Sequence, residues 1–358
     1  MQIVVVTTWF PTNRHPGAGS FIQRDIEALS AVHDVKVVHL VPPELDDGIR
    51  ASARDGYDVV SPAIDVRTPA GLITATRRMP ELTSGADVVH TMAAPALLPF
   101  LLRRPTAPWV HTEHWSGVAK LRQSAKARLA LPLSRRAFGR PDELVAVSEY
   151  LAEAVRPLRR GPVEVIGNII EPVHAVEAGT WFTETPALKV LGIGTVNEHK
   201  GWRIAVDAVT SIRAAGTAAE LLWLGSGPDS EALAQRAAAG DVVAPGQVSA
   251  ADVRSALEHA DVFVLPTRSE TFSLATAEAL AAGVPVVATG VGGHLDFLAP
   301  EAGVHTDRTA PAVASAIRKA ATFDRERVRL HGQQLLTRYS AERFVDAYTK
   351  IYERVTNG

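Results

Sequence analysis

Glu270-Thr-Phe-Ser-Leu-Ala-Thr-Ala-Glu278, continued by Ala-Leu-Ala-Ala-Gly283-Val-Pro285, follows the apolar run Val262-Phe-Val-Leu-Pro266. The apolar run has the length and branched-chain content of a buried parallel strand. The spacing beyond it predicts a helix from about Ser273 to Ala282, ended by Gly283. One carboxylate therefore sits in the strand-to-helix loop and the other on the second helical turn. Open α/β sheets bind ligands at such junctions, and the amides that open a helix favour an anion such as phosphate. Glu278 has the wrong sign to touch that anion. It suits two hydrogen bonds from vicinal hydroxyls, as a ribose offers.

The same strand–loop–helix unit recurs on either side. In the first half the candidate strands are Ile3–Thr7, Val35–Val41, Val88–Thr91, Trp109–Thr112, Leu144–Val147 and Val163–Ile166. Phe21, Ile22, Ile26 and Leu29 fall between the first two at helical spacing. In the second half they are Lys189–Ile193, Glu220–Leu224, Val242–Ala244, Asp261–Leu265 and Val284–Ala288. Helices are expected from Trp202 to Ala215, stopped by Gly216, and from Ala250 to His259, where Ser249 and Asp252 form a capping box. Two successive βα arrays predict an α/β protein with two parallel sheets, each covered by helices on both faces. A chain of 358 residues also favours two domains. The segment from Asn168 to Pro186 lacks periodicity and reads as the linker, giving domains 1–170 and 171–340. Phe344, Val345, Tyr348, Ile351, Tyr352 and Val355 then form one face of a final helix.

Composition narrows the function. The chain is 46% apolar and 21% charged, as in ordinary soluble domains. It has no cysteine, which excludes disulfides, thiolate metal sites and cysteine nucleophiles. The net charge is −2, and its halves differ little: residues 1–170 hold 20 Lys+Arg against 17 Asp+Glu, residues 171–358 hold 17 against 22. No nucleic-acid partner is expected from so small an imbalance. The N-terminus lacks a basic lead and a long apolar run, so a cytoplasmic protein is expected. The apolar stretch Met92 to Leu102 is interrupted by Pro95 and Pro99 and is too short to span a bilayer. Between Trp115 and Pro141 the chain carries Lys120, Arg122, Lys126, Arg128, Arg135, Arg136 and Arg140 without an acid. Two readings of 120–140 stay open. One is an anionic acceptor or membrane surface; the other is a solvated basic face, which Pro132 favours by breaking the amphipathic pattern.

A second segment, Gly192-Ile-Gly194-Thr-Val-Asn-Glu-His-Lys200-Gly201-Trp202, again joins a buried strand to a helix start. A lysine there adds a full charge to the partial charge of the helix terminus, which suits a diphosphate. Further glycine turns follow: Leu224-Gly225-Ser-Gly227-Pro228, Gly246-Gln-Val248 and Thr289-Gly290-Val-Gly292-Gly293-His294. None completes Gly-x-Gly-x-x-Gly, so the dinucleotide-dehydrogenase reading is weak. In the first half, Trp9-Phe10-Pro11 runs through Gly17-Ala-Gly19-Ser20, and Val110-His111-Thr-Glu113-His114-Trp115-Ser-Gly117 ends another strand. Residues three apart on a strand point to opposite faces, so His111 and His114 do not share one metal ion. His111 reads as a packed or hydrogen-bonded structural histidine. Trp9, Trp115 and His294 suit either a sugar contact or the core.

The pair Glu270 and Glu278 resembles the Glu-x7-Glu motif of retaining glycosyltransferases, in particular glycosyltransferase family 4. Gly194 to Gly201 resembles that family's Gly-Arg-x4-Lys-Gly, with Thr195 in the arginine position and Arg14, Arg203 or Arg268 as candidate substitutes. The resemblance covers nearly the whole chain and is strongest from Gly192 to Gly293. It implies the GT-B fold, two facing Rossmann-like domains with the C-terminal helix, 341–358, returning to the first. It implies transfer of a sugar from a nucleotide-diphospho-sugar to the hydroxyl of a small-molecule, glycan or lipid acceptor, with retention of configuration, no metal and no cofactor. The first domain would bind the acceptor and the second the donor. The implied catalytic residues are His114, Lys200 and Glu270. The implied donor contacts are Gly17, Gly19, Gly194, Lys200, Gly225, Val248, Thr271, Phe272, Ser273, Leu274 and Glu278. Ser148 and Asn168 also match family positions. A GT-B phosphorylase, a nucleotide-sugar epimerase and a catalytically silent nucleotide-sugar-binding protein remain alternatives.

Overall fold

The computed structural model describes residues 1–54, 56–120, 131–172, 181–182 and 187–357. The chain divides into two compact units, Met1–Ile169 with Tyr339–Gly358, and Ile170–Arg338. Much of the expected linker, with Gly179 and Pro186, lies outside the described residues, as do Arg122, Lys126 and Arg128. Among the described residues no helix is long and apolar enough to cross a membrane.

In the first unit the strands are β1 Gln2–Thr7, β2 Asp34–His39, β3 Ala51–Arg54, β4 Tyr57–Val60, β5 Val88–Met92, β6 Trp109–Glu113, β7 Glu143–Ala146 and β8 Glu164–Val165. They form one sheet in the order β3-β4-β2-β1-β5-β6-β7-β8. All neighbours pair in parallel except β3 with β4. This antiparallel edge corrects the expectation of a purely parallel sheet. The four residues of β3 are all exposed, so they carry no apolar signal, and the pair forms as a tight hairpin at Gly56, whose φ is 86°. The apolar stretch after β5 is a 3-10 helix, Ala94–Phe100. The helices are α1 Ser20–Ser30, α2 Pro69–Leu82, α3 Gly117–Lys120, α4 Leu131–Phe138, α5 Glu149–Val155 and, from the far end of the chain, α12 Ala341–Asn357. Ile22, Ile26 and Leu29 of α1 are buried, as their spacing predicts.

The last helix belongs to this unit. Phe344, Tyr348, Ile351 and Tyr352 of α12 enter one core with Ile22 and Ile26 of α1 and Val5, Val37 and Val110 of the sheet. A polar ladder runs beneath them. Tyr348 Oη and Thr112 Oγ1 are 2.7 Å apart, His90 Nε2 meets the same Thr112 Oγ1 at 2.7 Å, and His90 Nδ1 meets Tyr352 Oη at 2.7 Å. Every polar atom in the ladder is buried, and each finds a partner, which makes the docking specific as well as apolar.

The second unit has strands β9 Leu188–Ile193, β10 Ala219–Leu224, β11 Val243–Gly246, β12 Val262–Leu265, β13 Val286–Thr289 and β14 Gly303–Thr306. Their order is β11-β10-β9-β12-β13-β14, all parallel. The helices are α6 Trp202–Ala214, α7 Ser230–Ala238, α8 Ala250–His259, α9 Leu274–Ala281, α10 Ala310–Ala320 and α11 Arg325–Arg338. The strand order is that of a doubly wound nucleotide-binding sheet, and it reverses direction between β9 and β12. The crevice at the carboxyl ends of those two strands is therefore the place for a ligand. The capping box at Ser249 and Asp252 forms as predicted, and Gly216, with φ 88°, closes α6. β14, short and only partly apolar, was not anticipated.

Candidate active site

The β9–α6 and β12–α9 loops leave the sheet at that reversal point. Lys200, on the first, places its Nζ 2.8 Å from both Oε1 and Oε2 of Glu270 on the second. The pair is largely buried, with 24% of the lysine side chain and 11% of the glutamate exposed. The loops are also stitched through the backbone. Arg268 N donates to His199 O at 2.8 Å, and His199 Nε2 lies 2.8 Å from Ser269 O. Lys200 N donates to Asn197 Oδ1 at 3.0 Å.

Two glycines make this approach possible. Gly201 has φ 78°, and a Cβ there would lie 2.1 Å from Pro266 O. Gly293 would place a Cβ 2.1 Å from Thr271 O, while its own N–H donates to Glu270 O at 2.8 Å. Gly194 leaves room for the Lys200 stem, and Gly225 packs against Gly194 O. Gly225 N donates to Gly246 O at 2.9 Å, which brings Gly246 and the half-buried Val248 strip to the same strand ends.

α9 begins without a side-chain cap, and Ser273 before it holds the left-handed conformation, φ 79°. A non-glycine residue there is strained, a feature that clusters at functional sites. Ser273 Oγ is 2.8 Å from Thr276 Oγ1 rather than on the helix amides. Phe272 is buried, Thr271 and Leu274 are half-buried, and Glu278 is half-buried on the second turn. Uncapped helix amides, and an ammonium paired to the loop that leads into them, are the groups that an anionic phosphate requires.

The substitutes for the missing arginine do not stand equally. Thr195 is exposed. Arg203 stacks on the Trp202 ring at 4.2 Å. Arg268 forms an ion pair with Glu198 in the Lys200 loop. Arg308, which carries no motif signal, donates from Nε to Pro266 O at 3.0 Å and from Nη2 to Glu198 O. It ties the end of β14 to the same loops. His294 is fully buried, with Nε2 2.6 Å from Thr289 O and Nδ1 without a hydrogen-bond partner.

In the first unit, His114 follows β6 and is 5% exposed. Its ring lies 5.0 Å from that of Phe21, and neither ring nitrogen has a hydrogen-bond partner. Burial, with His111 nearby, pushes its pKa down to about 3, so it is neutral at pH 7. Glu113 below it is fully buried and accepts from Trp115 N at 2.6 Å and Ala94 N at 3.3 Å. One carboxylate thereby holds the ends of β5 and β6 together. His111 is structural as expected, with Nδ1 2.9 Å from Thr91 Oγ1 and Nε2 3.4 Å from Glu113 Oε2. Trp115 stays 39% exposed, its ring seated where a Cβ on Gly117 would lie only 2.1 Å away. Gly19, φ 69°, brings α1 against the Trp9 backbone, and Gly17 lies in the exposed turn before it. Ser148 caps α5 by accepting from Leu151 N at 3.2 Å. Asn168 is buried with an unpartnered Oδ1.

Two parallel sheets with their sites at the carboxyl strand ends define a GT-B architecture. The comparisons agree: residues 17–174 match the family model described as Glycosyltransferase Family 4, and residues 187–322 match that of Glycosyl transferases group 1. The chain is 27% identical over 331 residues to TuaC of Bacillus subtilis (strain 168), a glycosyltransferase named for teichuronic acid biosynthesis, with 82% of each chain covered. It is 28% identical over 290 residues to the phosphatidyl-myo-inositol mannosyltransferase of Mycobacterium leprae (strain TN), covering 75% of this chain and 72% of that one. The structure of a sucrose-phosphate synthase from Thermosynechococcus elongatus superposes with a TM-score of 0.80 at 20% identity, covering 99% of both chains. The chain is a GT-B glycosyltransferase resembling family 4.

Proposed function

We propose that this glycosyltransferase moves a sugar from a nucleotide-diphospho-sugar to an acceptor hydroxyl, with retention of configuration and without a metal ion. The observation that carries this reading is the Lys200–Glu270 pair beside the uncapped start of α9, at the reversal point of a nucleotide-type sheet. The donor diphosphate competes with Glu270 for the Lys200 ammonium and takes the α9 amides, while Glu278 accepts from the ribose hydroxyls. The acceptor oxygen bonds to the anomeric carbon as the carbon–oxygen bond to the diphosphate breaks on the same face. The bonding pair leaves with the diphosphate, which receives the acceptor proton. Lys200 and the amides stabilise the charge that develops there. Neutral His114 is suited to a hydrogen bond with a sugar hydroxyl. The mannosyltransferase among the relatives supports a hexose donor, and the lipid in its name supports a lipid or glycan acceptor.

The test begins with melting curves against UDP, GDP, ADP and dTDP and their common sugars, in which the true donor raises the midpoint by mass action. Transfer with that donor should survive EDTA, and NMR of the first-formed product should show the donor's anomeric configuration. Activity lost in EDTA and restored by magnesium or manganese would refute the metal-free chemistry, and an inverted product would refute retention. Donor binding without transfer over a broad acceptor panel would instead support a silent sugar-nucleotide sensor.

A further inference from the structure

On the first unit, a cleft of about 510 Å³ opens between the end of α4 and the segment after α5, lined by Arg135, Gly139, Leu158, Arg159, Arg160 and Gly161. Its place in the fold separates it from the candidate active site. Gly139 leads into the amino end of β7, and Gly161 leads into the amino end of β8. The site residues described above lie at the carboxyl ends of the strands, so this cleft serves neither the donor nor the transfer step.

The cleft is short of negative charge. Nε and Nη1 of Arg159 are buried without an acceptor, and Nη2 makes only a long bond, 3.3 Å, to Asp142 O. Nε of the adjacent Arg140 is likewise buried and unmet. The nearby acids are already engaged. Asp142 pairs with Arg104 at 2.5 Å and accepts from Trp109 N, and Arg354 bridges Glu143 and Glu164. Burial pulls the Arg159 guanidinium below its usual range, with Glu143 and Asp142 offsetting only part of the effect. Burial and the like charges of Arg136 and Arg104 do the same to Arg140. A guanidinium held half-buried with two unmet donors is costly, and an anion drawn into the cleft would offset its charge. A Cβ on Gly161 would lie 2.5 Å from Arg159 Nη2, so a side chain there would displace the fork from its present place.

We propose that this cleft binds a phosphoryl anion, a phosphomonoester or a phosphate headgroup, held by Arg135, Arg159 and Arg160. Three planar forks match the several oxygens and double charge of such a group better than they match one carboxylate. The proposal does not depend on the transfer chemistry.

Calorimetry and thermal shift with inorganic phosphate test it on the full chain, in wild type, R159Q, the surface double variant R135Q/R160Q, and K200A. Wild type and K200A should bind phosphate alike, while both arginine variants bind roughly tenfold to a hundredfold more weakly, the cost of losing charge-assisted bonds. Melting in the absence of phosphate should be unchanged or raised in R159Q, since it loses an unmet charge. Because Arg135 and Arg160 are exposed, the double variant answers the question even if R159Q folds poorly. Co-sedimentation with phosphatidylglycerol vesicles but not phosphatidylcholine vesicles, abolished in the arginine variants, assigns the phosphate to a lipid; phosphate binding without sedimentation assigns it to a soluble phosphomonoester. Phosphate binding that K200A abolishes and the arginine variants keep, or no phosphate binding by wild type, overturns the proposal.

Discussion

Lys200 and Glu270 each solve the other's burial. A half-buried ammonium without a counter-charge would be costly, and so would an 11%-exposed carboxylate. On the proposed reading, the donor diphosphate opens the pair by exchanging one anion for another. Lys200→Ala should therefore lower turnover by about 10² to 10³, the usual cost of one preorganised stabiliser of developing charge. Near-wild-type turnover would show that the amides of α9 suffice. The two glutamates should separate cleanly. Glu278→Gln weakens binding of free nucleotide and nucleotide-sugar alike, whereas Glu270→Gln leaves free nucleotide nearly untouched and reduces transfer. Equal losses of free nucleotide in both variants would contradict that division. The motif spacing around each residue was legible because helix and loop geometry is local. The partner of Lys200 was not, because 70 residues separate it from Glu270. The bond of Arg308 to Glu198 O, 110 residues away, was invisible for the same reason.

At the scale of elements, α12 shows what an amphipathic pattern reveals and what it leaves out. The apolar face of Phe344, Tyr348, Ile351 and Tyr352 announced burial. It did not announce that the two tyrosine hydroxyls close a ladder through Thr112 and His90 on β6 and β5. Burial raises the pKa of both tyrosines, so they remain neutral in that ladder. Tyr348→Phe should cost about 1 to 3 kcal/mol in urea unfolding, because the buried Thr112 Oγ1 then loses one of its two side-chain partners and keeps only His90. A cost within 0.5 kcal/mol, roughly that of a surface change, would mean that the apolar face alone seats the helix. The strands most easily read, β1 and β12, are those buried on both faces, whose sequences are near-continuous apolar runs. The hairpin of β3 and β4 escaped because an exposed edge strand needs no apolar pattern, and β14 because it is four residues long and only partly buried.

The two units differ in how they respond to acid, and that difference can be measured on the whole molecule. In the first, burial pushes His39 down to about 4 and His114 down to about 3, holds His90 well below its usual value and lowers His33. In the second, burial lowers His294 and His305. A histidine with a folded pKa below its unfolded 6.5 contributes its full stability above pH 6.5 and loses it as pH falls toward the folded value, because the unfolded chain takes up the proton. A group whose folded pKa lies well below 5.5 costs about 1.4 kcal/mol by pH 5.5, so His39, His90 and His114 together remove roughly 4 kcal/mol, and His33 adds to that loss. That is a large share of the roughly 5 to 15 kcal/mol that holds a domain folded. Asp25 opposes it: burial raises its pKa well above 3.8, so its protonated form favours the folded state as pH falls through that raised value. One carboxyl does not offset four imidazoles. Hydrogen exchange read by mass spectrometry at pH 7.5 and 5.5 should show β5 and β6 losing protection before β9 and β12. His114→Asn should reduce the loss in the first unit by about 1.4 kcal/mol per pH unit, since it removes one of that unit's four lowered imidazoles. Equal loss in both units, or a first unit that resists acid better than the second, would mean that these buried imidazoles take up protons without unfolding.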